Sequence, residues 1–286
     1  MEYALEAESL SKNYGRFRLK NVNFKLPRGS IMGFIGENGA GKTTTIKLIL
    51  GLIKKDSGRI SIFGKDNTPL PGSVKNKIGV VMENGCFHEA LRLDDIAGFM
   101  KLLYKEWDQE QFAQCTKKFG LPEKAPVKEF SKGMVMKLSL AVAMSHHPRL
   151  LILDEATSGL DPVARNELAD LFLDYIQDEN NSIFLSSHIT SDIERIADYV
   201  TFIRDGEIVF CEAKDKLLND YGVMKCGKDG FARIDGQDIL GYRKNHFGCE
   251  ALVKNRREME QKYHNYVMER TNLEEIMLFY SKGESM

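Results

Sequence analysis

The chain has 286 residues, and 40 lysines and arginines balance 41 aspartates and glutamates, so its net charge is close to zero. This balance argues against nucleic acid as a partner, because nucleic-acid-binding proteins usually present a basic surface. The length, with 43% hydrophobic residues, suits one large domain and a smaller appendage.

The cysteines and the apolar segments indicate the redox compartment of the protein and its relation to membranes. The five cysteines are odd in number and lack a CxxC spacing, which favours reduced thiols over a disulfide framework or a zinc site. The N-terminus does not resemble a signal peptide, and no apolar stretch approaches the roughly 18 residues of a membrane-spanning helix. If the protein serves a membrane, another chain must cross it.

The first 50 residues predict strands followed by a glycine-rich loop and a helix. Residues 21–26 alternate polar and apolar side chains, as in a half-buried strand. Residues 30–35 form a continuous apolar run, typical of a strand inside a parallel sheet. The glycine-rich loop at 36–41 leads into a predicted helix at 44–50.

The middle of the chain alternates predicted helices and strands. Residues 86–148 read as mostly helical, and apolar strands are predicted at 150–153 and 182–185, separated by a helix at 163–178. Residues 198–210 predict a hairpin with an Asp-Gly turn. This alternation indicates an α/β fold.

After residue 213 the pattern changes to scattered glycines and short strands. The segment Thr271–Glu274 fits a capping box, and residues 272–281 follow helical spacing with one apolar face. We therefore predict a small accessory domain at 214–286.

The glycine-rich loop carries the first chemical signal. Its sequence, GENGAGKT at 36–43, matches a phosphate-binding loop in the required strand–loop–helix context. The glycine backbone forms a cradle of N–H groups, Lys42 supplies charge for the β- and γ-phosphates, and the Thr43 hydroxyl suits Mg²⁺. The predicted nucleotide-binding residues of this loop are Gly36, Glu37, Asn38, Gly39, Ala40, Gly41, Lys42, Thr43 and Thr44.

Two carboxylates end the apolar strand at 150–153. Asp154 is suited to hold Mg²⁺, and Glu155 to polarise the water that attacks the γ-phosphate. Ligands collect at the carboxyl ends of strands in open α/β sheets. Together with the phosphate-binding loop, this pair predicts a nucleoside triphosphatase.

The segment FSKGMVMK at 130–137 distinguishes among triphosphatases. It resembles the signature motif of the ABC ATPase family, in a variant form. Physically, Ser131 and Gly133 lie at a predicted helix N-terminus, which is a second anion site. The resemblance implies that Ser131, Gly133 and Met134 close over ATP held by an opposing subunit.

Three further motifs follow the family order. The resemblance implies a dimer-interface loop at Ser158, Gly159, Leu160 and Asp161. It also implies that His188 contacts the γ-phosphate from a strand end, and that the aromatic ring of Tyr14 stacks on adenine. The alternative for Tyr14 is a place in the hydrophobic core.

One position departs from the common family pattern. Glu83 occupies the place where the family usually carries a glutamine that contacts Mg²⁺ and senses the transport partner. A glutamate oxygen also suits Mg²⁺, although the added negative charge weakens phosphate binding unless the metal offsets it.

The resemblance implies an architecture and a set of partners. Residues 1–213 are expected to form an ABC ATPase domain: a P-loop NTPase (RecA-like) core, an antiparallel β subdomain and an inserted helical subdomain at about 84–148. Residues 214–286 are expected to form an α+β domain for dimerisation or regulation. ATP and Mg²⁺ are the implied cofactors, in a homodimer or a heterodimer with a related ATPase subunit.

A separate transmembrane permease is the other implied partner, which would place the chain on the cytoplasmic, inner face of the cell membrane. The permease is expected to dock on the helical region 84–108. The aromatic residues there form either a receiving groove or part of the core: Phe87, Phe99, Tyr104 and Trp107.

Family resemblance favours a bacterial exporter of peptides, antibiotics or other hydrophobic compounds. One alternative is a non-transport ABC ATPase of the DNA repair or translation type. The region between the two nucleotide motifs has no extended heptads and the chain holds one such domain, which disfavours that class. Another alternative is a regulatory nucleotide switch without turnover, which an ATPase assay distinguishes.

Overall fold

Strands and helices alternate along much of the chain, as the hydrophobic pattern predicts. The computed structural model describes residues 2–83, 87–244 and 248–283. In chain order the strands are β1 (Tyr3–Asn13), β2 (Arg18–Pro27), β3 (Ile31–Ile35), β4 (Ser57–Ile62), β5 (Lys65–Asp66), β6 (Ile78–Val81), β7 (Leu150–Asp154), β8 (Ser182–Ser187), β9 (Tyr199–Arg204), β10 (Glu207–Ala213), β11 (Gly222–Cys226), β12 (Gly241–Lys244), β13 (Cys249–Val253) and β14 (Val267–Arg270).

The chain divides into two compact units, Met1–Phe210 and Cys211–Met286, and both contain helices. The helices are α1 (Lys42–Ile49), α2 (Gly72–Lys75), α3 (Leu93–Leu103), α4 (Gln109–Lys118), α5 (Lys132–Met144), α6 (Pro162–Tyr175), α7 (Thr190–Ile196), α8 (Lys214–Asp220), α9 (Lys228–Phe231), α10 (Arg256–Lys262) and α11 (Leu273–Lys282). Single 3₁₀ turns occur at Val127–Glu129 and Gly236–Asp238. Among the described helices, none is both long and apolar enough to cross a bilayer.

A six-stranded sheet with the order β10-β9-β3-β8-β7-β6 lies at the centre of the first unit. The strands from β9 to β6 run parallel, and every residue of β3, β7 and β8 is buried. This burial explains why the strands read as continuous apolar runs rather than as alternating ones. Because these strands are parallel, their carboxyl ends share one edge of the sheet.

A second, antiparallel sheet with the order β2-β1-β4-β5 packs over the central one. Phe24 of β2 meets Phe34 of β3 and Phe184 of β8, and the ring centroids of the three pairs are 5.2–5.6 Å apart. Close aromatic contacts of this kind add to the stabilisation that burial of the rings provides. The predicted α/β core with an antiparallel subdomain is therefore confirmed.

The predicted helical region forms α3, α4 and α5 around its own small core. The buried faces of α3 and α4 supply residues such as Ile96 and Phe112 to this core, and α5 supplies Leu138. Trp107 is half-buried against it, with its ring 5.3 Å from that of Phe112. Residues 84–86, where the predicted region begins, lie outside the described residues.

The second unit contains a four-stranded antiparallel sheet with the order β12-β13-β11-β14. Its core includes Met224, Phe231 and Ala251. The unit begins at Cys211, slightly before the predicted boundary after residue 213.

The final helix starts one residue later than the predicted capping box requires. Asn272, rather than Thr271, is the N-cap, and its side chain accepts a hydrogen bond from the Glu275 N–H at 2.8 Å. The Thr271 hydroxyl instead donates to the Glu275 carboxylate at 3.0 Å. Both side chains can accept such a bond, and an asparagine is as good an N-cap as a threonine.

The aromatic contact between the two sheets is testable. Replacing Phe184 with Ala should lower the free energy of unfolding of the first unit by about 3–5 kcal/mol, because it removes a fully buried ring and leaves a cavity. Denaturant titration followed by the fluorescence of Trp107, the only tryptophan, reports this unit. Leu102→Ala is the control, since that side chain is 84% exposed and should change stability little. A loss for Phe184→Ala as small as that of the control would contradict the packing described.

Candidate functional site

The phosphate-binding loop turns at two glycines and then enters α1. Gly39 and Gly41 have φ angles of 83° and 119°, which favour glycine because it lacks a Cβ atom. The loop folds around Lys42, whose Nζ donates to the carbonyl oxygens of Gly36 at 2.7 Å and of Glu37 at 3.2 Å. Lys42 is thereby held as a buried cation at the start of the helix.

A pocket of about 510 Å³ opens above this loop. Its lining residues are Phe17, Asn38, Gly39, Gly41, Lys42, Thr43, Thr44, Glu83 and Glu155. The pocket thus brings together the loop, one end of the central sheet and the exposed Glu83 that replaces the usual glutamine.

Asp154 and Glu155 end β7 in a tightly bonded corner. The Ser186 hydroxyl donates to Asp154 Oδ1 at 2.6 Å and accepts from the Glu155 N–H at 3.1 Å. Glu155 adopts a left-handed backbone with φ 52°, which is uncommon for a residue with a side chain. Ser186 on the neighbouring strand therefore fixes both acidic residues, and Glu155 is held in a strained turn.

The Glu155 carboxylate joins two cationic or titratable groups from other elements. Its Oε1 lies 3.1 Å from Lys42 Nζ, and its Oε2 lies 2.7 Å from His188 Nδ1. The side chains of Lys42 and Glu155 are only 6% and 8% exposed, so this pair is poorly screened by solvent. The three predicted catalytic side chains are therefore brought into contact at the sheet edge.

The segment that resembles the family signature lies at the N-terminus of α5. Ser131 is its N-cap, and the Ser131 Oγ accepts from the Met134 N–H at 3.2 Å. Ser131 is exposed, whereas Gly133 and Met134 are half-buried. None of these three residues lines the pocket over the phosphate-binding loop, as far as the described residues extend. The second predicted anion site is therefore separate from the first.

The loop at 158–161 packs against this same segment. A Cβ atom at Gly133 would lie 3.3 Å from the Leu160 side chain, and one at Gly159 would lie 3.2 Å from Lys132 Nζ. The loop then starts α6, where the Asp161 carboxylate accepts from the N–H groups of Val163 and Ala164. The bond from the Ala164 N–H, followed by that from Val163, holds the pKa of Asp161 below its ordinary value.

Two residues of the site were not predicted from the sequence. Phe17 lines the pocket, whereas Tyr14, the predicted adenine-stacking residue, is 51% exposed and is not among the lining residues described. The short spacing between the two aromatic residues is the signal that could have included Phe17. Ser186 was missed because a serine inside an apolar strand looks like an ordinary buried residue, and only strand pairing shows what it contacts.

The aromatic residues of the helical region separate into two groups. Phe87 and Trp107 are half-buried against the local core, and the Tyr104 ring stacks on the His146 ring with centroids 4.0 Å apart. Phe99 on α3 is 55% exposed, and its neighbours Leu102 and Leu103 are more exposed still. The core alternative therefore holds for Phe87 and Trp107, whereas Phe99 lies with Leu102 and Leu103 on an exposed apolar strip of α3.

Comparisons with known proteins agree with these motifs. The model of the ABC transporter family matches residues 19–158. The lantibiotic transport ATP-binding protein SrtF of Streptococcus pyogenes is 36% identical over 218 residues, covering 75% of this chain and 93% of that protein. The bacitracin transport ATP-binding protein BcrA of Bacillus licheniformis is 36% identical over 212 residues, covering 73% of this chain and 69% of its own length.

Solved structures show the same fold. An ATP-binding subunit of an ABC transporter superposes with a TM-score of 0.67 at 29% identity, covering 75% of this chain and 91% of that one. The ATP-binding cassette MJ0796, solved as a dimer in a post-hydrolysis state with ADP and Pi, gives a TM-score of 0.65 at 19% identity. That match covers 73% of this chain and 98% of MJ0796, and at this identity it shows the fold alone.

The relatives named are transport proteins, which favours transport over the DNA repair or translation alternative. The extent of the match to SrtF, together with the phosphate-binding loop and the acidic strand end, establishes the family. The chain belongs to the ABC transporter family, as an ATP-binding subunit that hydrolyses ATP.

Proposed function

We propose that two copies of this chain, or one copy and a related ATPase subunit, hold two ATP molecules head to tail between them. The observation that carries the proposal is the separation of two anion sites on one chain. The phosphate-binding loop has its own pocket, while Ser131 and Gly133 present a helix N-terminus elsewhere. Each ATP would lie between the loop of one subunit and the signature segment of the other.

The three contacting side chains support an assignment of roles in hydrolysis. Lys42 balances the charge of the β- and γ-phosphates, and Glu155 accepts a proton from the attacking water. The water oxygen bonds to the γ-phosphorus while the bond from that phosphorus to the bridging oxygen breaks, which releases ADP. His188, bonded to Glu155 through Nδ1, orients the carboxylate and presents its ring toward the γ-phosphate.

The donor set at the sheet edge suits magnesium. The Thr43 hydroxyl and the carboxylates of Asp154 and Glu83 are hard oxygen donors, the class that Mg²⁺ prefers. When bound, the ion supplies positive charge against the phosphate oxygens. Ser186, by donating to Asp154 Oδ1 at 2.6 Å, holds that carboxylate in place at the sheet edge.

Closure of the dimer would depend on the charge of ATP. The phosphates would be fully neutralised only when the α5 N-terminus of the opposing subunit completes the site, so ATP favours the closed pair. Hydrolysis breaks the bond to the γ-phosphate, and departure of the released phosphate removes part of that charge and lets the halves separate. The loop Ser158–Asp161, which we propose to lie at the subunit interface, packs on Lys132 and Gly133 of its own chain and would couple the two sites.

A separate transmembrane permease is the proposed partner, with the chain on the cytoplasmic face of the membrane. The exposed strip formed by Phe99, Leu102 and Leu103 on α3 is the proposed contact surface. The similarity to lantibiotic and bacitracin transport proteins supports a peptide or antibiotic, or another hydrophobic compound, as the exported cargo. The second unit, with its separate core, is proposed to serve dimerisation or regulation.

Glu155→Gln should bind ATP but hydrolyse it at least about 100-fold more slowly, because an amide does not accept the water proton. The variant should accumulate as a dimer with ATP in size-exclusion chromatography. Glu179→Gln, which changes an exposed carboxylate, is the matched control and should behave as the parent chain. Unchanged turnover in Glu155→Gln would contradict the proposed mechanism.

The variant Lys42→Ala should instead lose ATP affinity in a binding titration.

Ser186→Ala should lower ATP turnover by about tenfold or more, because Asp154 and Glu155 lose the hydroxyl that positions them. The control is Ser182→Ala, which removes a buried hydroxyl that accepts from the Gly29 N–H at the other end of the same strand. Both variants should lose about 1–3 kcal/mol of stability in denaturant titration. Equal turnover in the two variants would show that Ser186 has only a structural role.

A photo-cross-linking amino acid at position 99 should capture the permease in native membranes, since Phe99 lies on the exposed strip. The same probe at position 52, where Leu52 is 64% exposed beyond α1, should not. Mass spectrometry of the cross-linked product identifies the partner. Capture from position 52 and not from 99 would place the contact elsewhere.

A further inference from the structure

Two cysteines face each other across adjacent strands of the second unit. Cys226 is the last residue of β11 and Cys249 the first of β13, and the antiparallel register pairs them directly. Both thiols are free. They are distant in sequence, so only the pairing of the two strands brings them together.

Direct cross-strand pairing places the two residues at a Cα separation that a disulfide can span. Directly opposed residues of an antiparallel pair have Cα atoms about 4.5 or about 5.5 Å apart, depending on the hydrogen-bond pattern. Disulfides span Cα separations of about 4.4–6.8 Å, so either pattern is suitable. The Cys226 Sγ lies 3.9 Å from the Cys249 carbonyl oxygen, which shows that this thiol is turned toward the opposite strand.

The two thiols differ in accessibility. Cys226 is half-buried, whereas Cys249 is only 3% exposed. A small reagent therefore reaches Cys226 first. Burial, with a contribution from the neighbouring Cys249, raises the pKa of the Cys226 thiol, so the thiolate is a minor species at neutral pH and reaction is slow.

We propose that Cys226 and Cys249 form a modification site that closes to an internal disulfide on reaction with a low-molecular-weight disulfide. The Cys226 thiolate attacks one sulfur of the reagent, which forms a mixed disulfide and releases one thiol. The Cys249 thiolate then attacks the Cys226 sulfur, and the second reagent thiol leaves. Two protein thiols are oxidised, one reagent disulfide is reduced to two thiols, and the two protein protons pass to the released thiolates.

The cross-link would close a loop that contains much of the second unit's core. Phe231, Ile234 and Ile239 all lie between the two cysteines and pack in the same cluster. Closing this loop removes conformational freedom from the unfolded chain, which stabilises the folded unit. Oxidation would therefore strengthen the second unit.

The test uses the full chain, folded and fully reduced, incubated with glutathione disulfide. Remaining thiols are then alkylated under denaturing conditions, and the digest is analysed by mass spectrometry. We expect a peptide pair linked through Cys226 and Cys249, with the other three cysteines, Cys86, Cys115 and Cys211, alkylated. The oxidised chain should also show a higher thermal midpoint for the second unit than the reduced chain.

Variants separate the two chemical steps. Cys249→Ser should retain glutathione on Cys226, because the second attack is lost, and Cys226→Ser should form no internal disulfide. The double variant Cys115→Ser/Cys211→Ser is the control and should form the cross-link as the parent chain does. A glutathione adduct that persists on Cys226 of the parent chain, a link to another cysteine, or no reaction at Cys226 would overturn the proposal.

Discussion

A buried ammonium group and a buried carboxylate lie 3.1 Å apart at the carboxyl edge of the central sheet, and each compensates the charge of the other. Lys42 comes from the loop after β3, and Glu155 from the end of β7, with β8 between them. Removing either charge would leave the other uncompensated in a poorly solvated place, which costs about 3–5 kcal/mol. This pair therefore ties the phosphate-binding loop to the acidic strand end.

The strand between them completes the arrangement. β8 supplies Ser186, which bonds both Asp154 and Glu155, and its end supplies His188, which bonds the Glu155 carboxylate. Adjacent parallel strands thus deliver all of these groups to the same small volume, as open α/β sheets generally do at this edge. The chemistry proposed here depends on that shared edge more than on any one residue.

In the first unit, packing contacts link the two anion sites that we propose. The loop that leaves Glu155 reaches Gly159 and Leu160, which pack on Lys132 and Gly133 at the start of α5. The chain segment that follows the Glu155 carboxylate thus contacts the helix that we propose to clamp the nucleotide of the opposing subunit. The second unit is built differently, around its own antiparallel sheet and core, and the site that we propose in it is a thiol pair rather than a phosphate site.

The sequence by itself determined the elements and most of the site. Apolar runs identified the buried strands β3, β7 and β8, because parallel strands covered on both faces need no polar alternation. The glycine spacing before Lys42 identified the phosphate-binding loop, since only a glycine backbone turns so tightly with its N–H groups inward. Motif order then identified the family, which the comparisons confirmed.

Only the tertiary structure decided which residues from distant parts of the chain meet. Ser186 was not predicted because its role arises from its register against Asp154 on the neighbouring strand. The sequence of one strand does not indicate which strand pairs with it. The pairing of Cys226 with Cys249 was hidden for the same reason. The sequence also did not show which aromatic residues of the helical region are exposed and which are packed. Short-range spacing does not tell which face of a helix another element covers.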